Sequence, residues 1–526
     1  MVKLEEIADT TLLQKPSGDT QSPVERVESK YKPLYKFNLP RHRQYHQQYA
    51  DIYFLRLTKL KPAVEAVARE AWEDTMIGGE IARRVERVLD VRQGQLCWMV
   101  GTVYMDMPLK PSVLEDISKD RWIGNPITTG HYFQDDGSGT TIMLEDDSGR
   151  IRLVGSRLQD FFLVTGCIIA VLGTENVNGE FEVIDLKFAD LPPQPERWAL
   201  TKPPSKGGRK NEDIEMADSK PSKKIAIVSG LEFSGYDTSH AMDLNLLLEF
   251  LLGDALTPST QATELSQISR LIIAGNSMGD STHNPSTTAY SRNPHVPPKP
   301  HVKKYGYDSS SFNPLPSQLL DQFLSTLLPT MPVTLLPGIL DPATASYPQQ
   351  PIHSAMFPRA RTFGPTPKPP PPPPPPGKEA EAAQQEMQEE KEPGWFDAVT
   401  NPWEGEIEGW RFLGTGGQNL DDICKYIDSE DRLGMMEAMC RWRCTAPTAP
   451  DTLWAYPFQE DEPFTMLECP HVYFIGCQPQ FGTRVIEGPQ GQTVRLILVP
   501  SFASTREIVL VDAETLEVST VKISTF

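Results

Sequence analysis

Polar residues follow several short apolar stretches of this chain at the points where a parallel sheet would place catalytic groups. The stretches end at glycine, and such runs are typical of strands buried on both faces of a sheet. Because open α/β sheets place their sites at the carboxyl ends of strands, we expect these polar residues and their neighbours to lie close together. The positions concerned are Ser229, Leu231, Asn276, Asp341 and Cys477.

The chemistry that such strand ends can support is binuclear phosphoester hydrolysis. That reaction uses two divalent ions about 3.5–4 Å apart, held by a bridging carboxylate with His, Asp and Asn ligands. Ser229 and Leu231 stand where an Asp-x-His pair would be needed, and Asn276 stands where the bridging aspartate would be. Near Asp341 only the glycine and the acid are present, and Cys477 follows a strand without a histidine pair. We therefore predict vestigial positions, with no catalytic residue, metal or cofactor.

An active enzyme is the alternative interpretation of the same strand ends. A metal-dependent phosphodiesterase or nuclease would have to use Asp280 and Asp341 as carboxylate ligands, together with a displaced histidine such as His353. One aspartate at a strand end does not hold two metal ions, so this alternative requires ligands from outside the usual positions. Turnover of a chromogenic phosphodiester with manganese would favour it.

The first half of the chain predicts helices followed by a small barrel. Apolar residues at helical spacing predict a helix over 41–60 and a second over 62–72, with Pro62 at its start. Residues 146–149 read Asp-Asp-Ser-Gly between two strand-like stretches and predict a hairpin. About five strands between 95 and 190 suggest an OB-like barrel, and another small barrel or sandwich fits the same spacing.

The second half alternates predicted strands and helices and ends in a β-rich segment. We predict an α/β fold, α+β overall, with a two-layered pair of sheets joined to the barrel. The predicted divisions are a tail over 1–30, an N-terminal helical segment over 31–85, an OB-fold domain over 86–192, a linker over 193–223 and an inactive phosphoesterase-like domain over 224–526, with insertions at 279–313 and at 364–394, the latter carrying a polyproline tract.

Composition limits the classes of partner. The 526-residue chain has a formal net charge of −20, which argues against tight independent binding to nucleic acid. Its seven cysteines are scattered, and the first residues lack the apolar core of a signal peptide, so we expect a reducing compartment. No apolar run approaches the roughly 18 residues of a membrane span, so we expect no membrane partner.

Several long motifs resemble the small (B) subunit family of DNA polymerase delta. They are YHQQYADIYFLRL at 45–57, VGTVYMDMPLKPSVL at 100–114, VSGLEF, RLIIAGN, LPGILDPATASYPQQPIHSAMFP at 336–358, GWRFLGTGGQN at 409–419, CTAPTAPDTLWAYPF at 444–458 and CPHVYFIGCQPQFGT at 469–483. The resemblance implies an OB fold joined to an inactivated calcineurin-like phosphoesterase domain. The three insertions, at 200–224, 279–312 and 364–394, depart from the family's pattern.

The same resemblance implies a function. It implies a nuclear, non-catalytic accessory subunit that supports DNA replication and repair synthesis. Its implied partners are the C-terminal metal-binding region of the catalytic subunit and a third regulatory subunit, with DNA bound only weakly or through the complex. We expect the barrel and residues 31–60 to meet the regulatory subunit, and the phosphoesterase-like domain to hold the catalytic one.

Overall fold

The computed structural model describes residues 25–40, 43, 49–111, 130–134, 139–197, 223–235, 237–253, 264–279, 313–367 and 391–523. The candidate Asp280, the polyproline tract and most of the predicted insertions lie outside these ranges. Within them, no helix is both long and apolar enough to cross a membrane.

The described residues form helices and strands that we number in chain order. The helices are α1 (Asp51–Trp72), α2 (Thr238–Leu252), α3 (Leu315–Leu327), α4 (Gln418–Tyr426), α5 (Arg432–Arg441) and α6 (Phe502–Thr505), with short 3-10 helices at Val88–Asp90, Ser156–Asp160, Ser354–Met356 and Ala360–Phe363. The strands are β1 (Tyr31–Leu34), β2 (Met76–Ile77), β3 (Glu80–Ile81), β4 (Arg83–Arg84), β5 (Cys97–Asp106), β6 (Thr141–Glu145), β7 (Arg150–Val154), β8 (Ile168–Glu175), β9 (Glu180–Lys187), β10 (Lys224–Val228), β11 (Ile268–Ala274), β12 (Val333–Leu336), β13 (Thr366–Pro367), β14 (Lys391–Glu392), β15 (Phe396–Ala398), β16 (Trp403–Ile407), β17 (Trp410–Thr415), β18 (Val472–Gln478), β19 (Gly482–Glu487), β20 (Thr493–Pro500), β21 (Glu507–Asp512) and β22 (Val518–Lys522).

The predicted barrel is confirmed. Strands β5, β6, β7, β9 and β8 follow one another around it, and β5 also pairs with β8, which closes the ring. The predicted hairpin joins β6 to β7, where Asp146 Oδ1 accepts hydrogen bonds from the N–H groups of Ser148 at 2.8 Å and Gly149 at 3.0 Å. These bonds and others lower the pKa of Asp146, although burial acts in the opposite direction.

Helix α1 corrects the prediction of two helices. Residues Asp51–Trp72 form one continuous helix, and Pro62 lies inside it on the exposed side. A proline there removes one backbone hydrogen bond, and water can satisfy the freed carbonyl because that face is solvated. The opposite face holds the helix together by packing against the barrel, and its buried residues are Ile52, Arg56, Leu60, Val64, Ala68 and Trp72.

Two six-stranded sheets face each other in the second half of the chain. The first has the order β15-β12-β11-β10-β21-β22, and the second has the order β1-β16-β17-β18-β20-β19. The predicted parallel strands are confirmed, because β10 pairs with β11, and β11 with β12, in parallel. Apolar residues from the inner faces, such as Ile272 and Phe474, form the core between the sheets.

The outer faces of both sheets are covered. Helices α2 and α3 contribute Leu247 and Leu324 to the core on the outside of the first sheet. Helices α4 and α5 cover the second sheet, and their buried residues join one apolar cluster with residues of the barrel. The parallel strands of the two sheets end at one edge of the layered structure, and the predicted site residues lie there.

Candidate functional site at the strand ends

The carboxyl ends of strands from both sheets meet so closely that backbone fills the space between them. A Cβ atom built on Gly476 of β18 would lie 1.9 Å from the carbonyl oxygen of Ala274 on β11. A Cβ on Gly275 would lie 2.9 Å from the Cα of Gly416, which follows β17. Only glycine fits such approaches, so these glycines close the edge of the sandwich rather than open it for a ligand.

Ser229 connects the two sheets at this edge. It is fully buried, and its Oγ accepts a hydrogen bond from the N–H of Cys477 at 2.8 Å. The same hydroxyl faces the carbonyl oxygens of Val499 at 3.1 Å and Pro500 at 2.9 Å, to which it can donate its single proton. Leu231 is also fully buried and belongs to the core behind the first sheet. Neither side chain is available to a ligand.

Asn276 adopts a left-handed backbone conformation, with φ of 49°. Asparagine tolerates that region better than most residues. Its Oδ1 accepts a hydrogen bond from the N–H of Leu340 at 3.0 Å. A Cβ on Gly338 would lie 2.3 Å from the same Oδ1, so Asn276 packs directly against the loop that follows β12. The amide that stands where a bridging aspartate was expected therefore holds a loop.

Asp341 is buried and accepts four hydrogen bonds from the protein. Its Oδ1 accepts from Ser277 Oγ and from Met278 N, each at 2.8 Å, and its Oδ2 accepts from Ser277 N at 3.2 Å and Gly338 N at 2.7 Å. Burial raises the pKa of Asp341, and these hydrogen bonds oppose the rise. The carboxylate is thus fully used in joining the turns after β11 and β12.

Cys477 lies opposite Ser229 and, like Asn276, has a left-handed backbone, with φ of 55°. Burial raises the pKa of its thiol well above the ordinary value, and the negative charges of Asp341, Asp421 and Glu232 add to the rise. A thiol with a raised pKa stays protonated at neutral pH and is a poor nucleophile or metal ligand.

A network of side-chain amides fills the rest of the edge. Asn401 Nδ2 donates to Gln349 Oε1 at 3.0 Å and to Gln418 Oε1 at 2.8 Å. Gln349 Nε2 donates to the carbonyl oxygen of Gly338 at 3.2 Å. The sequence-based prediction missed these three residues. The one available signal was the glycine-rich stretch at 414–417, directly before Gln418.

The residues of the enzyme alternative do not form a metal site in the described part of the chain. Asp280 lies outside that part, and Asp341 is committed to the bonds given above. His353 is exposed and caps a 3-10 helix, where its Nδ1 accepts from the N–H of Ala355 at 3.2 Å. Across the described ranges no group of three or more His, Cys, Asp or Glu side chains is placed to hold a metal ion.

Sequence comparisons identify two family segments that coincide with the two halves of the fold. Residues 48–186 match a family described as the DNA polymerase delta subunit OB-fold domain. Residues 225–483 match a family described as the B-type subunit of DNA polymerases alpha and epsilon. The barrel therefore lies within an OB-fold match, as the sequence predicted, and the layered sheets lie mostly within the second match.

Full-length relatives settle the family. The chain is 32% identical to the DNA polymerase delta small subunit of Saccharomyces cerevisiae over 91% of this chain and 90% of the relative. It is 32% identical to the DNA polymerase delta small subunit of Arabidopsis thaliana over 96% and 98%, respectively. The chain belongs to the DNA polymerase delta small-subunit family. The DNA polymerase delta subunit 2 of Drosophila melanogaster matches at 29% over 95% of this chain.

In this small subunit, a buried arginine joins the OB-fold half to the layered sheets. The guanidinium of Arg56 on α1 donates to Glu462 Oε1 from Nη2 at 2.8 Å and from Nε at 3.2 Å, and both side chains are fully buried. It also donates to the carbonyl oxygens of Pro447 at 2.6 Å and Ala449 at 3.0 Å. The Nη1 atom that donates to Pro447 also donates to the carbonyl oxygen of Gly166 in the OB-fold half at 3.4 Å. One side chain therefore bonds to both halves.

Proposed function

We propose that this chain is a non-catalytic accessory subunit that scaffolds DNA polymerase delta in replication and repair synthesis. The observation that carries the proposal is the state of the strand ends, where Ser229, Asn276 and Asp341 are satisfied by hydrogen bonds within the protein. A site in this condition offers neither a free ligand set nor room for a phosphate. The functional surfaces are then on the outside of the molecule.

The proposed partners are the other polymerase subunits. The phosphoesterase-like half holds the C-terminal metal-binding region of the catalytic subunit, and the OB-fold half with residues 31–60 holds a third regulatory subunit. The full-length matches to named small subunits support a place in that complex. The net charge of −20 favours protein partners over direct contact with DNA, which this subunit meets weakly or through the complex. The complex acts in the nucleus.

Co-expression tests the scaffold. The full chain is produced with the catalytic subunit alone, with the third subunit alone, and with both, and each mixture is separated by gel filtration. We expect a stoichiometric complex in each case, and no complex of the other two chains when the small subunit is omitted. Failure of the chain to bind either subunit would refute the proposal. If pull-downs showed that the OB-fold half binds the catalytic subunit and the phosphoesterase-like half binds the third subunit, only the assignment of surfaces would be refuted.

A phosphodiesterase assay tests the alternative on the same protein. The purified chain is incubated with manganese and a chromogenic phosphodiester, beside an Asp341→Ala variant. We expect no turnover above a protein-free blank. Turnover that disappears in the variant would establish an enzyme in place of the vestigial site.

A further inference from the structure

The rim of the vestigial site carries large apolar side chains that face solvent. Ile339 is 66% exposed and Leu340 is 39% exposed, and both lie in the loop after β12. Trp454 is 59% exposed and lies in a long segment without helices, residues 445–464, which we call the tryptophan loop. Exposed tryptophan on an ordered backbone is typical of the anchors of protein interfaces.

Hydrogen bonds join the loops that carry these three side chains, which together we call the rim cluster. The N–H of Tyr347 donates to the carbonyl oxygen of Trp454 at 2.7 Å. Two residues along the chain, Gln349 Nε2 donates to the carbonyl of Gly338, the residue before Ile339, at 3.2 Å. The strand-end contacts described above also hold this loop, because Asn276 accepts from the N–H of Leu340. Residues at former metal positions thus support an apolar surface.

The tryptophan loop is held on both sides of Trp454. On one side, Thr452 Oγ1 donates to Asp422 Oδ2 at 2.6 Å, and the Arg56 guanidinium binds loop carbonyls. On the other side, the N–H of Tyr456 donates to the carbonyl of Tyr347 at 2.8 Å. Long irregular loops that are fixed in this way usually serve binding. Docking on a fixed loop loses little conformational entropy, which favours affinity.

Charge indicates what covers the rim cluster. Between 445 and 465 the chain has four carboxylates, Asp451, Glu460, Asp461 and Glu462, and no lysine or arginine. Asp451 pairs with Lys110, Asp461 with Lys59 and Glu462 with Arg56. No ion pair to Glu460 occurs among the described residues. Nucleic acid and a second copy of this chain, itself at −20, would both be repelled. A basic partner segment would be attracted.

We propose that Ile339, Leu340 and Trp454 form a docking surface for an apolar, positively charged segment of the catalytic subunit, which the proposed function places on this half of the chain. The proposal rests on the scaffold function given above and specifies the place where part of it occurs. Trp454 is the anchor, because its indole can pack against apolar groups and also stack with an arginine or lysine. Ile339 and Leu340 extend the apolar area, and Glu460 supplies the complementary charge.

Two variants with matched controls test the docking surface in the full chain, co-expressed with the catalytic and third subunits. Trp454→Ala and Ile339→Ser are compared with Trp395→Ala and Met242→Ser, which alter side chains that are 40% and 54% exposed elsewhere on the molecule. We expect at least about a tenfold loss of affinity for the catalytic subunit in the first pair and none in the controls. Unchanged thermal midpoints show that the variants are folded.

A charge variant tests the nature of the partner segment. Glu460→Gln is expected to weaken the same complex and to reduce the salt dependence of its dissociation constant. Wild-type affinity in both Trp454→Ala and Ile339→Ser would overturn the docking proposal while the scaffold function stands. A wild-type chain that binds neither subunit would remove the scaffold function itself. Loss of single-stranded DNA binding or of self-association in Trp454→Ala, with subunit binding intact, would also overturn the docking proposal.

Discussion

The N–H of Cys477 donates a hydrogen bond to the Oγ of Ser229 at 2.8 Å, and this bond joins β18 of one sheet to the end of β10 in the other. Our prediction is that this is the place where a metallophosphoesterase would need an acid and a histidine. The serine proton faces carbonyl oxygens of the last two residues of β20, so the bond belongs to a fully satisfied arrangement. At this bond, neutral groups join the two sheets.

Replacing Ser229 by aspartate restores an acid at the first strand end, and we expect it to destabilise the fold without creating a metal site. The new carboxylate would be buried beside the carbonyl oxygens of Val499 and Pro500, at a cost of about 3 kcal/mol or more. Thermal unfolding with and without manganese measures both effects. Ser519→Asp on the exposed strand β22 is the control and should change little. A thermal midpoint that rises with manganese in Ser229→Asp would contradict the vestigial interpretation.

Asp341→Asn should lower the free energy of unfolding by about 2–4 kcal/mol, because the new NH₂ group cannot accept the hydrogen bonds that one carboxylate oxygen now receives. Chemical denaturation measures the loss. Asp147→Asn, in the exposed hairpin turn, provides a control that should stay within about 0.5 kcal/mol of the wild type. Equal stability of the two variants would show that the carboxylate does not hold the turns after β11 and β12 together.

Arg56→Met should cost about 3–5 kcal/mol, since it leaves Glu462 buried without its partner. The double variant Arg56→Met/Glu462→Met should recover part of that loss, because no uncompensated charge remains. Denaturant titration of the single and double variants measures the coupling. The exposed pair of Arg157 and Asp160 is the matched control, and Arg157→Met should cost less than about 1 kcal/mol. If the double variant lost as much unfolding free energy as the two single variants together, the expected coupling would be contradicted.

His471 makes stability depend on pH between about 4 and 6.5. Burial, and then the charge of Arg411, lowers the pKa of His471 from 6.5 to about 4. The unfolded chain therefore binds more protons than the folded chain in this range, and stability is present above pH 6.5 and lost as the pH falls toward 4. The loss is at most about 3 kcal/mol.

A variant isolates that contribution from the other titrating groups. His471 Nδ1 accepts from the N–H of Arg411 at 3.0 Å, and an asparagine oxygen can replace this acceptor without titrating. Unfolding free energies of the wild type and His471→Asn are measured from pH 4 to 7. The two curves should run parallel above about pH 6.5 and separate as the pH falls toward 4, because only the wild type loses the contribution of His471. Curves that stay parallel down to pH 4 would show that His471 is not the group responsible.

The sequence by itself determined the strands, the turns and the family. Apolar runs that end in glycine predicted the parallel strands, and the Asp-Asp-Ser-Gly stretch predicted the hairpin, because both signals depend on neighbours in the chain. The sequence also predicted vestigial positions at the strand ends, because residue types can be compared with the needs of a metal site without a structure, and this stays a prediction. Long motifs were enough to indicate the small-subunit family.

Only the tertiary structure decided how those strand ends are filled and which surfaces are left. Arg56 and Glu462 are 406 positions apart, so no local pattern could pair them. The amides of Gln349, Asn401 and Gln418 meet because two loops and the start of α4 lie at one edge. Burial of one helix face against the barrel kept α1 continuous through Pro62, against the local signal for a break. The exposure of Trp454 likewise follows from long-range contacts that fix its loop, and these contacts cannot be predicted from the neighbouring residues in the sequence.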